Sequence, residues 1–277
     1  MRTPRARKII FTGRALVVAT LASLAGALVV GADESSDSSC LASSSSLTTS
    51  SPPAAPRLID VTATVSASLP SWLSSTGLGT GYRTEVKSHK KGDKANSSEL
   101  RFNAHTGTHI DAPRHFVTTD PTGIDEIPLD VINGPALLIE AYGVEALTAE
   151  ALASLHIPDD PAVTRLLFRT DNTRRGLMSR TEFTEDYVGF SADGAEWMVR
   201  QRPRVKAIGI DYLSIASLIH LVDGHVTLLG HGVVPIEGLV MPDDEISAGY
   251  WFLHCAPLKL EGSDGAPARA WLTPLSH

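Results

Sequence analysis

Cysteine is scarce: the 277-residue chain has two, Cys40 and Cys255. Two thiols cannot make a disulfide framework or a Cys-rich zinc site, which excludes a stapled scaffold and a zinc finger. Aromatic residues are also few, at 6%, too sparse for a platform on which bases stack. Positive charge is in deficit, with 24 Lys and Arg against 31 Asp and Glu and a formal net charge of −7. With no basic cluster beyond its first residues, such a chain is a poor nucleic-acid binder. Its one long apolar run, 15–30, falls short of the roughly 20 residues that a membrane-spanning helix needs. What remains is an ordinary globular composition, 43% hydrophobic and 20% charged, sufficient for a sizeable core.

The first 56 residues do not read as fold. Arg2, Arg5, Arg7, Lys8 and Arg14 precede the apolar run, and small residues Val30-Gly31-Ala32 follow it. That order describes a secretory signal peptide over 1–32 and a mature protein without stable membrane insertion. A retained anchor or an organellar transit peptide are the competing readings. Cleavage after Ala32 removes five positive and no negative charges, taking the net from −7 to −12. Residues 33–56, DESSDSSCLASSSSLTTSSPPAAP, have too little apolar surface to offset backbone ordering and read as a flexible linker. Cys40 falls in that linker. Cys255 sits in an apolar run and reads as a buried, inert thiol.

Residues 57–277 contain no repeat and no second linker, so they read as one domain. Strand-like patterns occur at 58–65, 100–104, 136–142, 165–169, 205–210 and 251–258. Helices are expected at 149–155, with Thr148 as N-cap, and at 192–200. Strands outnumber helices, so the expected class is a mixed α/β domain with a strand-rich core.

The informative segment is Phe102-Asn-Ala-His-Thr-Gly-Thr-His-Ile-Asp-Ala-Pro-Arg-His-Phe116, which holds His105, His109, Asp111 and His115 within eleven residues. A helix is rejected, because it would turn His109 and Asp111 about 200° apart. Gly107, Pro113 and the β-branched Thr106, Thr108 and Ile110 are also poor helix material. An extended chain with period two puts the four polar groups on one side. The expectation is two strand ends around a tight turn at Gly107. Two neutral imidazoles and a carboxylate form a facial ligand set for a divalent ion such as Zn²⁺ or Mn²⁺. Surface or core histidines are the plainer reading, but three of ten histidines crowded together in phase with an Asp speak against it. His220, His225, His231, His254 and Glu237 could each complete such a site, and spacing alone does not choose among them. The stretch 233–239 reads as a strand able to carry Glu237 inward.

HTGTHIDAPRHF, residues 105–116, resembles the HxGTHxDxPxH signature of the metal-dependent cyclase/hydrolase family, which includes bacterial-type kynurenine formamidases and isatin hydrolases. Leu58-Ile-Asp-Val-Thr resembles that family's opening strand, and Leu69-Pro-Ser-Trp72 its early Pro-x-Trp element. His225-Val-Thr-Leu-Leu-Gly, followed by Pro-Ile-Glu237-Gly-Leu, resembles its late metal-binding segment. Residues 163–173, 186–196 and Gly209-Ile-Asp-Tyr-Leu-Ser214 look closest to the plant-type branch. The Ser/Gly-rich 73–80 departs from the Pro-Gly-Asp-Pro-like run of formamidases.

The resemblance implies a compact single domain with a β-barrel-like core and peripheral helices, in a homo-oligomer. It implies His105, His109, Asp111, His225 and Glu237 as ligands of one or two ions, Zn²⁺ or Mn²⁺. It makes His115 the general acid/base and Trp72 a substrate-pocket residue. The implied activity is hydrolysis of a small-molecule amide, foremost the aryl formamide N-formylkynurenine of tryptophan catabolism. Isatin-type lactam hydrolysis, or a secreted metal-binding regulatory protein with little turnover, are the alternatives. The leader implies the secretory pathway, ending outside the cell or in the cell wall, with an organelle as the alternative.

Overall fold

Two neighbouring strands, β5 (Gly134–Ala141) and β6 (Arg165–Thr170), pair in parallel and are apolar on both faces. Ala136, Leu138 and Leu167 point one way into one hydrophobic cluster, while Leu137, Ile139, Leu166 and Phe168 point the other way into a second. A strand covered on both sides reads as a continuous apolar run rather than an alternation. The computed structural model describes residues 57–275. The expected signal peptide, the linker and Cys40 lie outside the described residues.

From β6 the sheet continues in parallel through β7 (Ala207–Ile210) and β8 (Val234–Glu237), then turns antiparallel. β8 pairs with β4 (His109–Asp111), and β4 with the first half of β10 (Gly265–Pro274). The second half of β10 pairs with β9 (Gly249–Pro257), which returns antiparallel to β5 and closes the sheet. The fold is thus a single α/β domain around a closed, mixed, seven-stranded barrel. Ile110, Ala136, Leu138, Leu167, Ala207, Ile236, Leu253 and Ala266 fill its interior, the small side chains fitting a narrow lumen. β1 (Ile59–Asp60) adds to the free edge of β10, and β2 (Arg83–Lys87) and β3 (Ser97–Leu100) form a separate, fully exposed hairpin.

Helices lie outside the barrel. α1 (Leu129–Ile132) and α3 (Asp171–Arg174) are single turns. α2 (Ala149–Ser154) begins where Thr148 accepts a hydrogen bond from Ala151 N, and α4 (Ala192–Gln201) where Ser191 caps Gly194 N. With α5 (Leu221–Gly230), they set Leu152, Ala195, Met198 and Leu228 against the outer face of β5–β7. Among the described residues no helix is long and apolar enough to cross a membrane.

Five of the seven expected strands, 233–239 among them as β8, and both expected helices are present within a few residues. Two expectations need correction. The strand expected at 58–65 has only two ladder residues, because Thr62 spends its side chain on Ala270 and its neighbour Ala63 bonds Thr108 Oγ1 instead of a strand. The strand expected at 100–104 ends at Leu100, after which Asn103 Oδ1 accepts from His105 N and turns the chain. Cys255 is buried in the barrel, and burial pushes its thiol pKa up to about 12, as an inert role requires.

Candidate metal and catalytic site

β4 is three residues long and entirely buried. Its pleat sends His109 and Asp111 to the same side, with the apolar Ile110 facing the barrel core. Gly107, at φ +64°, makes the left-handed turn that brings His105 back over them. Beyond β4 the chain leaves the strand: Pro113–His115 is one 3₁₀ turn, and this turn, not strand alternation, places His115 beside the others. Antiparallel pairing sets Glu237 of β8 directly opposite His109. His225 comes from the inward face of α5.

Five side chains therefore meet, all but His105 almost fully buried. His105 Nδ1 lies 2.8 Å from Asp111 Oδ1, and His109 Nε2 lies 3.5 Å from the same oxygen. His109 Nε2 is 3.1 Å from Glu237 Oε2, and His225 Nε2 is 3.1 Å from Glu237 Oε1 and 3.5 Å from Asp111 Oδ2. Each imidazole is held from behind. His109 Nδ1 donates to Gly107 O at 2.9 Å and His225 Nδ1 to Leu221 O at 2.6 Å, since a carbonyl only accepts. The far nitrogens thus carry hydrogen, and the near ones face two carboxylates.

This donor set fits a divalent cation. His109 Nε2 and Asp111 Oδ2 are buried and find no hydrogen-bond partner among the described residues. Two buried carboxylates ringed by imidazole nitrogens are costly unless a cation or protons compensate them. Without an ion, protons do so. Burial opposes a charged His105, but Asp111, then Asp264 and Glu237, outweigh it and raise its pKa to about 9. Burial would raise the pKa of Glu237, yet His109 and His225 hold it well below the usual carboxylate range. His225 is raised in turn, against burial, by Glu237 and Asp111.

His115 stands outside the two donor groups that share Asp111, and makes with His105 and Asp264 a third, less buried one. Its ring stacks on His105 at 3.9 Å between centroids, and burial lowers its pKa, aided by the charges of His105 and His225 against those of Asp111 and Glu237. A neutral imidazole near pH 7 is able to accept a proton. Above the cluster opens a pocket of about 410 Å³, lined by Trp72, Asn103, His115, Phe116, Leu213 and His225 among others. Trp72 packs edge-on against Phe183 at 4.7 Å, and Phe116 stacks on His225 at 4.3 Å.

All seven residues singled out in the sequence thus border one cavity or the cluster beneath it. The other three candidate histidines do not. His220 lines a separate open groove, His231 Nδ1 bonds Thr227 O, and His254 stacks on Trp271. Sequence reasoning missed Asp264, whose Oδ2 is 3.1 Å from His105 Nε2 and 3.5 Å from His115 Nδ1. It lies 159 residues from His105, and Asp-Gly reads only as a turn.

The Cyclase family model matches residues 59–217 of this chain, more than half of it. The chain belongs to the Cyclase family. Cyclase-like protein 3 of Oryza sativa subsp. japonica is 41% identical over 220 residues, covering 78% of this chain and 79% of its own length. The kynurenine formamidase of Bacillus cereus is 29% identical over 218 residues, covering 78% of this chain and 97% of its own. A solved structure described as a potential metal-dependent hydrolase with cyclase activity superposes with a TM-score of 0.65. It is 29% identical and covers 80% of this chain and all of its own. As a Cyclase-family member with such relatives, and with this His/Asp cluster, the chain has the makings of a divalent-metal protein.

Proposed function

We propose that this Cyclase-family chain is a metal-dependent amidohydrolase that cleaves the C–N bond of an aryl formamide, N-formylkynurenine being the leading candidate. The observation that carries the reading is His115: an imidazole outside the donor set, kept neutral by burial, facing a cavity with an aromatic wall. A purely structural metal site would need no such residue. The 29% identity to a kynurenine formamidase supports the choice of bond.

His105, His109, Asp111, His225 and Glu237 would hold one or two ions, Zn²⁺ or Mn²⁺; the two carboxylates suit two better than five neutral donors would. A divalent ion there supplies Lewis acidity, lowering the pKa of a water from about 15.7 toward 7 and polarising a carbonyl. His115 takes the proton of the attacking water as its oxygen bonds to the formyl carbon. It then hands that proton to the amine nitrogen as the C–N bond breaks, releasing the aryl amine and formic acid, which gives its proton to solvent to become formate. Trp72 and Phe116 flank the aryl ring, and Glu237 would serve as an ionised ligand beside His109 and His225.

The test compares kcat/KM for N-formylkynurenine and for isatin on the metal-loaded protein. Preference for the formamide is expected; preference for isatin would overturn the choice of bond. Bound metal with turnover of neither would favour the regulatory reading. The reading also takes the protein along the secretory route, on its leader, and into a homo-oligomer, on its family. Secretion of a tagged chain and light scattering check these two points.

A further inference from the structure

Asp264 has no part in the donor set or in proton transfer as derived above, yet its carboxylate sits between a ligand and the base. Oδ2 is 3.1 Å from His105 Nε2 and 3.5 Å from His115 Nδ1, and those two rings are stacked. Its side chain is about half exposed, so the contact could be incidental if the loop were loose. It is not loose. Asp264 O accepts from Ala112 N at 2.9 Å, Ser263 O from Ile124 N at 2.9 Å, and Asp125 Oδ1 from Gly262 N at 2.8 Å. The turn before β10 is therefore pinned on both sides to the segment that carries the histidines. The next residue, Gly265, pairs with Asp111 and leaves room for His105: a Cβ there would lie 2.7 Å from His105 Cε1.

His109 and His225 are oriented by backbone carbonyls, whereas among the described residues the outer nitrogen of His105 has Asp264 as its acceptor. Resting on the metal reading above, we propose that Asp264 is a positioning residue. It accepts Nε2–H of His105, turning the Nδ1 lone pair toward the donor cluster at Asp111, and its charge, 3.5 Å from His115 Nδ1, favours the tautomer that leaves Nε2 for proton transfer. A carboxylate behind an imidazole ligand fixes the tautomer and raises its basicity, and removing such a partner costs 10- to 100-fold in metal affinity. The one carboxylate would serve both the ligand and the base.

The test uses the full chain with Asp264→Ala and Asp264→Asn. Affinity for Zn²⁺ is read by competition with a chromophoric chelator, and the coordination by the visible absorption of the Co²⁺-substituted protein. The Ala variant should bind Zn²⁺ 10- to 100-fold more weakly, with an altered Co²⁺ spectrum. Asp264→Asn keeps an acceptor oxygen without the charge and should recover part of the loss. Circular dichroism of the chelated variants should show the parent's fold, with at most a modest fall in Tm, since Asp264 is one of the groups that favour a protonated His105. Parent-like affinity and spectrum in the Ala variant would overturn the inference and leave the metal site standing, as would a loss fully explained by an unfolded chelated variant. A parent protein that takes up no Zn²⁺ or Co²⁺ would sink both.

Discussion

Protons and a metal ion compete for the same donors here, and this makes the pH dependence of stability opposite in sign to the usual acid unfolding of proteins. In the chelated protein, His105 has its pKa raised from 6.5 to about 9, against burial, by Asp111, Asp264 and Glu237. The folded state then binds that proton more tightly than the unfolded chain. The stabilisation is fully present below pH 6.5 and is lost as pH rises through about 9. At 1.36 kcal/mol per tenfold in proton affinity, the difference amounts to about 3 kcal/mol. His225, also raised, adds in the same direction. For a domain of this size, about 3 kcal/mol corresponds to roughly 6–12 °C in Tm. An ion changes the outcome, because it must displace the proton. Its apparent affinity rises about tenfold per pH unit over the same window, and the added binding energy offsets the lost protonation energy. Urea unfolding of the chelated protein from pH 6 to 9.5 should therefore show a falling free energy. With Zn²⁺ in excess, the profile should be flat. A chelated protein equally stable at pH 6.5 and 9 would refute the placement of a proton between His105 and Asp111.

Gly265→Ala puts a Cβ 2.7 Å from His105 Cε1 and 2.8 Å from Ile110 O. Overpacking of this kind costs about 1–3 kcal/mol. The variant should melt lower and bind metal more weakly, and parent-like values in both would contradict the crowding. His115→Ala should lower kcat by about 10²- to 10⁴-fold while metal content, measured by elemental analysis, stays unchanged; retained turnover would reassign the base. Trp72→Ala removes one aromatic wall of the pocket, a contact worth about 0.5–1.5 kcal/mol. A fall of roughly 2- to 10-fold in kcat/KM is expected with metal affinity untouched, and a loss of metal instead would place Trp72 in the wrong role.

The site was legible where the donors lie close along the chain. His109 and Asp111 share a strand face by period two, and Gly107 marks the turn that folds His105 onto them. His115 belonged to the same segment but arrives by a 3₁₀ turn that begins at Pro113, which alternation could not describe. His225 is a candidate from the residues alone, but only the resemblance chooses it over the other downstream histidines, because α5 has no side-chain cap and carries Gly224 beside β-branched Val222, Val226 and Thr227. Asp264 left no trace, since barrel closure alone brings it to His105. The same closure explains the missed strand β10. Its inward face is Ala266, Ala268, Ala270 and Leu272, too small in side chain to register as a hydrophobic period, and Pro267 and Pro274 interrupt the pattern. β5 and β6, with larger apolar residues on both faces, were plain.

On the proposed reading, four buried donors and the partly buried His105 would hold a divalent ion, and His115 would serve as the base in hydrolysis of an aryl formamide. Hydrolysis of N-formylkynurenine by the purified chain, before chelation, after it, and after Zn²⁺ or Mn²⁺ is restored, tests this most directly. Activity that disappears with the chelator and returns with the metal is the predicted result. Turnover that survives complete removal of metal, or stoichiometric bound metal without any turnover, would contradict it.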